Sequence, residues 1–352
     1  MKIALIRREY ITHLDGVNRF IALLADGLIK LGHEPIIASW CWYDTQREIL
    51  PKWFREIHGL DVEIPIYTLN GSPCSGDPWL RIAWDWLTEG SKLLKKEGAD
   101  AAVINGVAPL RFSPKVAVNH GIDTLRVIRL YLHAARLLYR TYDATICVSN
   151  KLKEEVERKL GISCAVIPLP LKLETYRPAK PEDRDDLVVH IGTRPVKNPQ
   201  ISIEAIKSLR RRGLPIKLVI VGAPTTVPKE DGIEERFGVS EKEKLNLLCR
   251  AKALILPSSY ETFSYVALEA MACGTPPVVS TAVPEEVVIN GYNGLRVHTL
   301  DPRDYAAALE RLLTDQELWL KLSRNGREFV KQFNYIEIAN KYINLIKNLY
   351  GR

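Results

Sequence analysis

Short apolar runs rich in Val, Ile, Leu and Ala alternate along this chain with longer stretches whose apolar residues recur at helical spacing. Strand-length runs separated by helix-length segments are the mark of parallel sheets covered by helices, an α/β class. The first series of predicted strands lies at residues 3–6, 35–39, 101–105, 115–119, 144–148 and 165–168. The pattern then restarts at 187–191, 217–221, 253–256, 277–280 and 294–297, which reads as a second nucleotide-binding-type domain. Between the two series, Pro168, Pro170, Pro178 and Pro181 and the charged run PEDRDD disfavour a helix and favour a linker. A boundary near residues 170–185 follows, giving a first domain over 1–170, a second over 171–334 and a final helix over 335–352.

The second domain contains the segment PSSYETFSYVALEAMACG, residues 257–274, which sets two carboxylates eight residues apart around the start of an apolar helix. Glu261 falls in the loop, whereas Glu269 is embedded among Val266, Ala267, Leu268, Ala270, Met271 and Ala272. A carboxylate in such surroundings loses water and needs a compensating partner, for which a bound ligand is one candidate. Eight residues of helix rise about 12 Å, the scale of a ribose, a diphosphate and a sugar laid end to end. Between the carboxylates, the backbone N–H groups near Thr262, Phe263 and Ser264 lie at the helix start, where the macrodipole favours an anion. The competing reading is two ordinary helix-end carboxylates, one capping and one paired with a nearby Lys or Arg.

Glu-x7-Glu with the tail EAMACGTPPVVS resembles the donor-sugar signature of the retaining family 4 glycosyltransferases of GT-B fold, within glycosyl transferases group 1. The resemblance implies two Rossmann-like doubly wound domains facing a cleft, the last helix crossing back to the first domain. It also implies that Glu261 meets the transferred sugar, Glu269 the nucleotide ribose, and Thr262, Phe263 and Ser264 the phosphates. In HIGTRPVKNPQ, Gly192 ends a strand and Arg194 and Lys197 follow at the edge of the sheet where ligands of such folds bind. Two fixed cations there would stabilise a diphosphate leaving group without a metal ion. The segment resembles the family's Gly-Arg...Lys-Asn element, with Thr193 standing where Arg often follows Gly.

Three further constellations belong to the first domain. Gly16, at the start of the helix that follows the first strand, resembles part of the family's glycine-containing loop near the donor, with Asp15 in place of a second glycine. His120 follows VAVN and precedes Gly121, matching the family's His-Gly that reaches the transferred sugar; the expected role is a hydrogen bond to a hydroxyl. Arg126, Arg129, His133, Arg136 and Arg140 recur at helical spacing, a basic stripe suited either to solvent or to an anionic membrane or lipid-linked acceptor. Trp40, Trp42, Tyr43, Trp79, Trp84 and Trp86 serve sugar stacking and core packing equally well.

Composition narrows the options. A chain of 352 residues exceeds the usual single core, in keeping with two domains. MKIALIRR reads as a first strand, its apolar run being too short for a signal peptide, and no membrane-length apolar stretch occurs, so a cytoplasmic protein with at most peripheral membrane contact is expected. The six cysteines form no CxxC pair, so buried reduced thiols are expected rather than a zinc site or a disulfide framework. The net charge of +7 is spread over both halves, with 22 basic and 19 acidic residues before residue 171, which gives no support to a nucleic-acid-binding domain. Few Met, few Gln and many charges hint at a thermophile. The expected activity is transfer of a sugar from a nucleoside diphosphate sugar to a hydroxyl acceptor, lipid-linked, glycan or small molecule, with no cofactor. The alternatives are a nucleotide-sugar epimerase of the same architecture and a non-catalytic nucleotide-sugar-binding protein. REYITHLDG, near the first strand, lacks the GxGxxG of a dehydrogenase.

Overall fold

A computed structural model describes residues 1–12, 15–42, 46–71, 74, 79–121, 129–223 and 231–351. The chain forms two compact units, Met1–Pro170 with Phe333–Arg352, and Leu171–Gln332. The first unit runs β1 (Lys2–Tyr10), α1 (Gly16–Lys30), β2 (Glu34–Cys41), α2 (Leu50–His58), β3 (Ile66–Thr68), α3 (Trp79–Asp85), α4 (Ser91–Lys96), β4 (Ala101–Asn105), β5 (Lys115–Asn119), α5 (Arg129–Tyr139), β6 (Ala144–Cys147), α6 (Asn150–Leu160) and β7 (Ala165–Val166). The second runs β8 (Leu187–Ile191), α7 (Pro199–Arg211), β9 (Lys217–Val221), β10 (Ile233–Arg236), α8 (Glu241–Arg250), β11 (Ala253–Leu256), α9 (Tyr265–Ala272), β12 (Pro277–Ser280), β13 (Leu295–Val297), α10 (Pro302–Thr314) and α11 (Gln316–Phe329). The last helix, α12 (Tyr335–Tyr350), belongs to the first unit.

Both sheets are parallel and repeat one topology. Their orders are β3-β2-β1-β4-β5-β6-β7 and β10-β9-β8-β11-β12-β13, so each reverses direction beside its own first strand. Loops leaving the carboxyl ends of the two strands at such a reversal splay apart and open a crevice. In the second unit those strands are β8 and β11, which places Gly192 to Lys197 and Pro257 to Ser264 on either side of it.

Burial explains the pattern read from the sequence. Strands β4 and β5 are buried along their whole length, as expected of strands covered on both faces. In α1, Phe20, Ile21, Leu24 and Leu28 face inward, and Tyr335, Ile338 and Tyr342 of α12 are buried as well. Gly27 permits the close contact between these helices, since a Cβ there would stand 2.5 Å from the Tyr335 carbonyl oxygen and 2.8 Å from Ala339 Cβ. Trp40, Trp42 and Trp86 are core residues, with the indoles of Trp40 and Trp86 donating to Asp85 and to the Arg8 carbonyl at 2.7 Å. Trp79 and Trp84 are exposed, and Tyr43 lies outside the described residues. No helix among the described residues is long and apolar enough to cross a membrane.

The cysteines correct the expectation of reduced thiols. Cys41 is joined to Cys74, Cys147 to Cys164, and Cys249 to Cys273. The partners are 33, 17 and 24 residues apart, spacings that resemble no disulfide motif and become short only when parallel elements fold side by side. Cys147 and Cys164 show this directly: one ends β6, and the other precedes the adjacent β7.

Candidate active site

In the second unit the loops after β8 and β11 are fastened to each other. Ser259 N–H donates to the Val196 carbonyl at 2.8 Å, Asn198 Nδ2 donates to the Pro257 carbonyl at 2.8 Å, and Lys197 Nζ is paired with Glu261. Ser258 Oγ also donates to Glu261, at 2.9 Å. The Lys197 and Glu261 side chains keep only 12% and 10% of their exposure, so this is a buried ion pair whose members depend on each other. Thr193 accepts the Ala223 N–H at 2.9 Å and ties the same loop to the end of β9.

Backbone strain collects at this place. Among the described residues, the non-glycine positions with positive φ are Asn198, at 50°, and Ser264, at 102°. Asn198 caps α7 immediately after Lys197, and Ser264 caps α9, its hydroxyl accepting the Ala267 N–H at 3.4 Å. Conformations of this kind cost roughly 1–3 kcal/mol each and persist where surrounding contacts impose them. Thr262, Phe263 and Ser264 thus enter α9 through a bent turn, with Phe263 and Ser264 buried and Thr262 partly so.

Beneath the loop sits a histidine that the sequence did not flag. His190 is fully buried at the end of β8, between Ser202 Oγ, 2.8 Å from Nδ1, and the Gly192 carbonyl, 2.7 Å from Nε2. A carbonyl only accepts, so Nε2 carries the proton and Nδ1 accepts from Ser202. Burial pulls the ring down to about 4 despite the favourable bond to Gly192, with the charge of Lys197 adding to the effect, so His190 is neutral near pH 7.

Glu269 is fully buried on α9, as its apolar neighbours imply, but its partner comes from the protein. Lys244 of α8 donates to one carboxylate oxygen at 3.1 Å and lies 2.9 Å from the other. The same ammonium is 2.8 Å from Glu241. Of the partners the sequence leaves open for this carboxylate, a bound ligand or a nearby Lys or Arg, a lysine is in place here. A ribose diol is neutral and could not balance a buried charge; an ammonium can. Lys244 escaped notice because it lies in EKEK, where any Lys looks like part of a solvated helix face. Arg194 differs from Lys197 in being exposed, and its side chain takes no part in the contacts that bind the two loops.

In the first unit, Asp15 caps α1, accepting the N–H groups of Val17 at 3.0 Å and Asn18 at 2.8 Å and pairing with Arg7 at 2.8 Å. The first turn of α1 is therefore capped by an internal carboxylate, with Gly16 exposed beside it. His120 is placed as expected, just past β5 and beside the end of β4, with Nε2 2.8 Å from Asn105 Oδ1. Asn105 Nδ2 donates to the Ile6 carbonyl at 3.0 Å, which turns its oxygen toward the histidine and leaves Nδ1 as the acceptor. The imidazole packs edge-on against Phe20 at 5.0 Å, and burial, with the charge of Arg7 second, lowers it to about 3. Of the basic stripe, His133, Arg136 and Arg140 are exposed, with Leu137 exposed among them; Arg126 and the Arg129 side chain lie outside the described residues.

Comparison with known proteins agrees with the motif. Residues 14–175 match Glycosyltransferase Family 4, and residues 174–329 match Glycosyl transferases group 1. An uncharacterised glycosyltransferase of Methanocaldococcus jannaschii is 28% identical over 63% of this chain and 65% of its own length. The GDP-mannose-dependent alpha-(1-6)-phosphatidylinositol dimannoside mannosyltransferase of Mycobacterium tuberculosis is 29% identical over 54% of this chain and 59% of its own. The chain thus spans less than two thirds of these curated relatives. Sucrose-phosphate synthase of Thermosynechococcus elongatus has the same fold, with a TM-score of 0.79 at 18% identity over 99% of both chains. With a family match on each half and the GT-B fold throughout, the chain belongs to the family 4, group 1 glycosyltransferases as a divergent member.

Proposed function

We propose that the chain is a retaining glycosyltransferase that moves a sugar from a nucleoside diphosphate sugar to a hydroxyl acceptor. The observation that carries this reading is the buried Lys197–Glu261 pair, held over Gly192 at the switch point of the second sheet and next to the entrance of α9. The bond from the sugar's anomeric carbon to the phosphate oxygen breaks, and a bond to the acceptor oxygen forms on the same face. The acceptor proton passes to the departing phosphate oxygen. Lys197 supplies positive charge to that oxygen, with Arg194 as a second cation able to swing in, and the first turn of α9 faces the phosphates. Glu261 orients the sugar, Glu269 the ribose, and neutral His120 offers Nδ1 to a sugar hydroxyl. No metal or other cofactor enters this scheme.

The mycobacterial relative, a GDP-mannose-dependent phosphatidylinositol dimannoside mannosyltransferase, supports a nucleotide-sugar donor and a lipid-linked acceptor. The exposed face of α5 and the residues after it, with His133, Leu137, Arg136 and Arg140, supports a peripheral contact with an anionic membrane or lipid head group. We place the protein in the cytoplasm, where three disulfides suit a thermophile, since intracellular proteins of hyperthermophiles are often rich in them.

Screening UDP-glucose, GDP-mannose and related donors by thermal shift tests the reading, because a true donor stabilises the fold by mass action. The donor so found, incubated alone, discriminates the nearest rival: an altered sugar stereocentre without acceptor would identify an epimerase. Salt-sensitive binding to anionic vesicles tests the membrane contact, and retention that ignores salt would remove it.

A further inference from the structure

We infer that Lys244 is a positioning residue for the donor's ribose: it holds the buried Glu269 carboxylate in the orientation that meets the sugar diol. The inference rests on the donor-site reading above, in which Glu269 meets the ribose, and adds to it a residue from another helix.

Three observations converge on Lys244. Glu269 is completely buried on a helix whose neighbours are almost wholly apolar, where a carboxyl group needs a polar or charged partner within contact distance. Lys244 provides it, lying 3.1 and 2.9 Å from the two carboxylate oxygens while keeping only 15% of its own side-chain exposure. The second contact of the ammonium, Glu241 at 2.8 Å, restrains its rotation, so the carboxylate plane is fixed from α8.

Helix α8 is itself built to hold this position. Its start is set by a reciprocal capping box between Ser240 and Glu243, with Glu243 N–H to Ser240 Oγ at 3.2 Å and Ser240 N–H to Glu243 at 2.9 Å. Further along, Cys249 is joined to Cys273 just past the end of α9. Lys244 therefore lies between a fixed helix start and a covalent tie to the helix that bears Glu269. A cation serving only to lower surface charge would need neither constraint.

The experiment compares Lys244→Met, Lys244→Arg and the paired change K244M/E269Q with the wild type. Binding of UDP and GDP, and of their 2′,3′-dideoxy forms, is measured by calorimetry, and kcat and KM are measured with the accepted donor. Lys244→Met is expected to weaken the ribonucleotide by about tenfold or more, the scale of hydrogen bonds to a charged group. It should leave the dideoxy form almost unchanged, and its kinetic effect should fall on donor KM rather than kcat. Lys244→Arg should restore most of the loss. If Lys244→Met does not fold, K244M/E269Q removes both charges together and should bind the two nucleotide forms alike. Equal losses for ribo and dideoxy nucleotides, or no loss for either, would overturn the role of Lys244 while leaving the donor site standing. A folded wild type that binds no nucleoside diphosphate would instead overturn the donor site, and this inference with it.

Discussion

Gly192 lies directly beneath the stem of Lys197: a Cβ built on the glycine would stand 3.1 Å from Lys197 Cγ and 3.4 Å from Cε. The same glycine has φ of 102°, a conformation that other residues adopt only under strain, and its carbonyl is gripped by His190. A side chain at this position would both strain the turn and lift the lysine away from Glu261. Gly192→Ala is therefore expected to lower turnover at least about tenfold while costing roughly 1–3 kcal/mol of stability. Turnover measured alongside urea unfolding checks this, and wild-type activity in the folded variant would show that the seat of Lys197 is not under tight control.

Because Lys197 and Glu261 form a buried pair, truncating one of them strands the other. Loss of a single partner from such a pair costs about 3–5 kcal/mol, so Glu261→Ala and Lys197→Ala conflate instability with lost chemistry. Neutral near-isosteres separate the two effects. The doubly neutral variant K197M/E261Q is expected to unfold within about 1–2 kcal/mol of the wild type yet retain less than about 1% of its turnover. Substantial activity in a stably folded double variant would remove this pair from the reaction.

The two series of parallel strands and the helices between them were legible because strands buried on both faces are continuous apolar runs, as in Ile3 to Ile6 and Leu254 to Leu256. Strands β3 and β10 were not, since edge strands of three and four residues such as IEER carry too little apolar signal. Among the candidate residues, Lys197 and His120 stand out by their place just beyond strand ends and Glu261 by its spacing of eight to Glu269 around the start of an apolar helix. Lys244 and His190 were hidden for opposite reasons. One stands in a run of charges and the other in a run of aliphatic residues, and only packing shows that the first is drawn inward and the second is hydrogen-bonded at both nitrogens. Disulfide partners were invisible because the parallel connections that unite them appear only in three dimensions.

With all six cysteines paired, protein purified without reductant and then denatured should show no free thiols, and six after reduction. Each bridge closes a loop of 17 to 33 residues, and bridges of that size contribute about 2–4 kcal/mol. Reduction is therefore expected to lower the unfolding midpoint of both units. Counting thiols by alkylation and mass measurement decides the matter, six reactive thiols in the untreated protein being the contrary result.

Stability should fall with acid through His190. Its imidazole is neutral and buried in the native state at about 4, against 6.5 for an unperturbed histidine, because burial outweighs the bond to Gly192. Above pH 6.5 neither state binds the proton and this contribution is complete. As pH falls below 6.5 the unfolded chain takes up a proton that the native state refuses, and stability declines by about 1.4 kcal/mol per pH unit until the native histidine is protonated near pH 4. The full loss is roughly 3 kcal/mol. Carboxylates titrate over part of the same range, so the measurement is the difference between wild type and His190→Gln, followed by urea unfolding at pH 7, 6, 5 and 4.5. The wild type is expected to lose its advantage over the variant steadily below pH 6.5, and a constant difference across that range would show that His190 is open to protons in the native state.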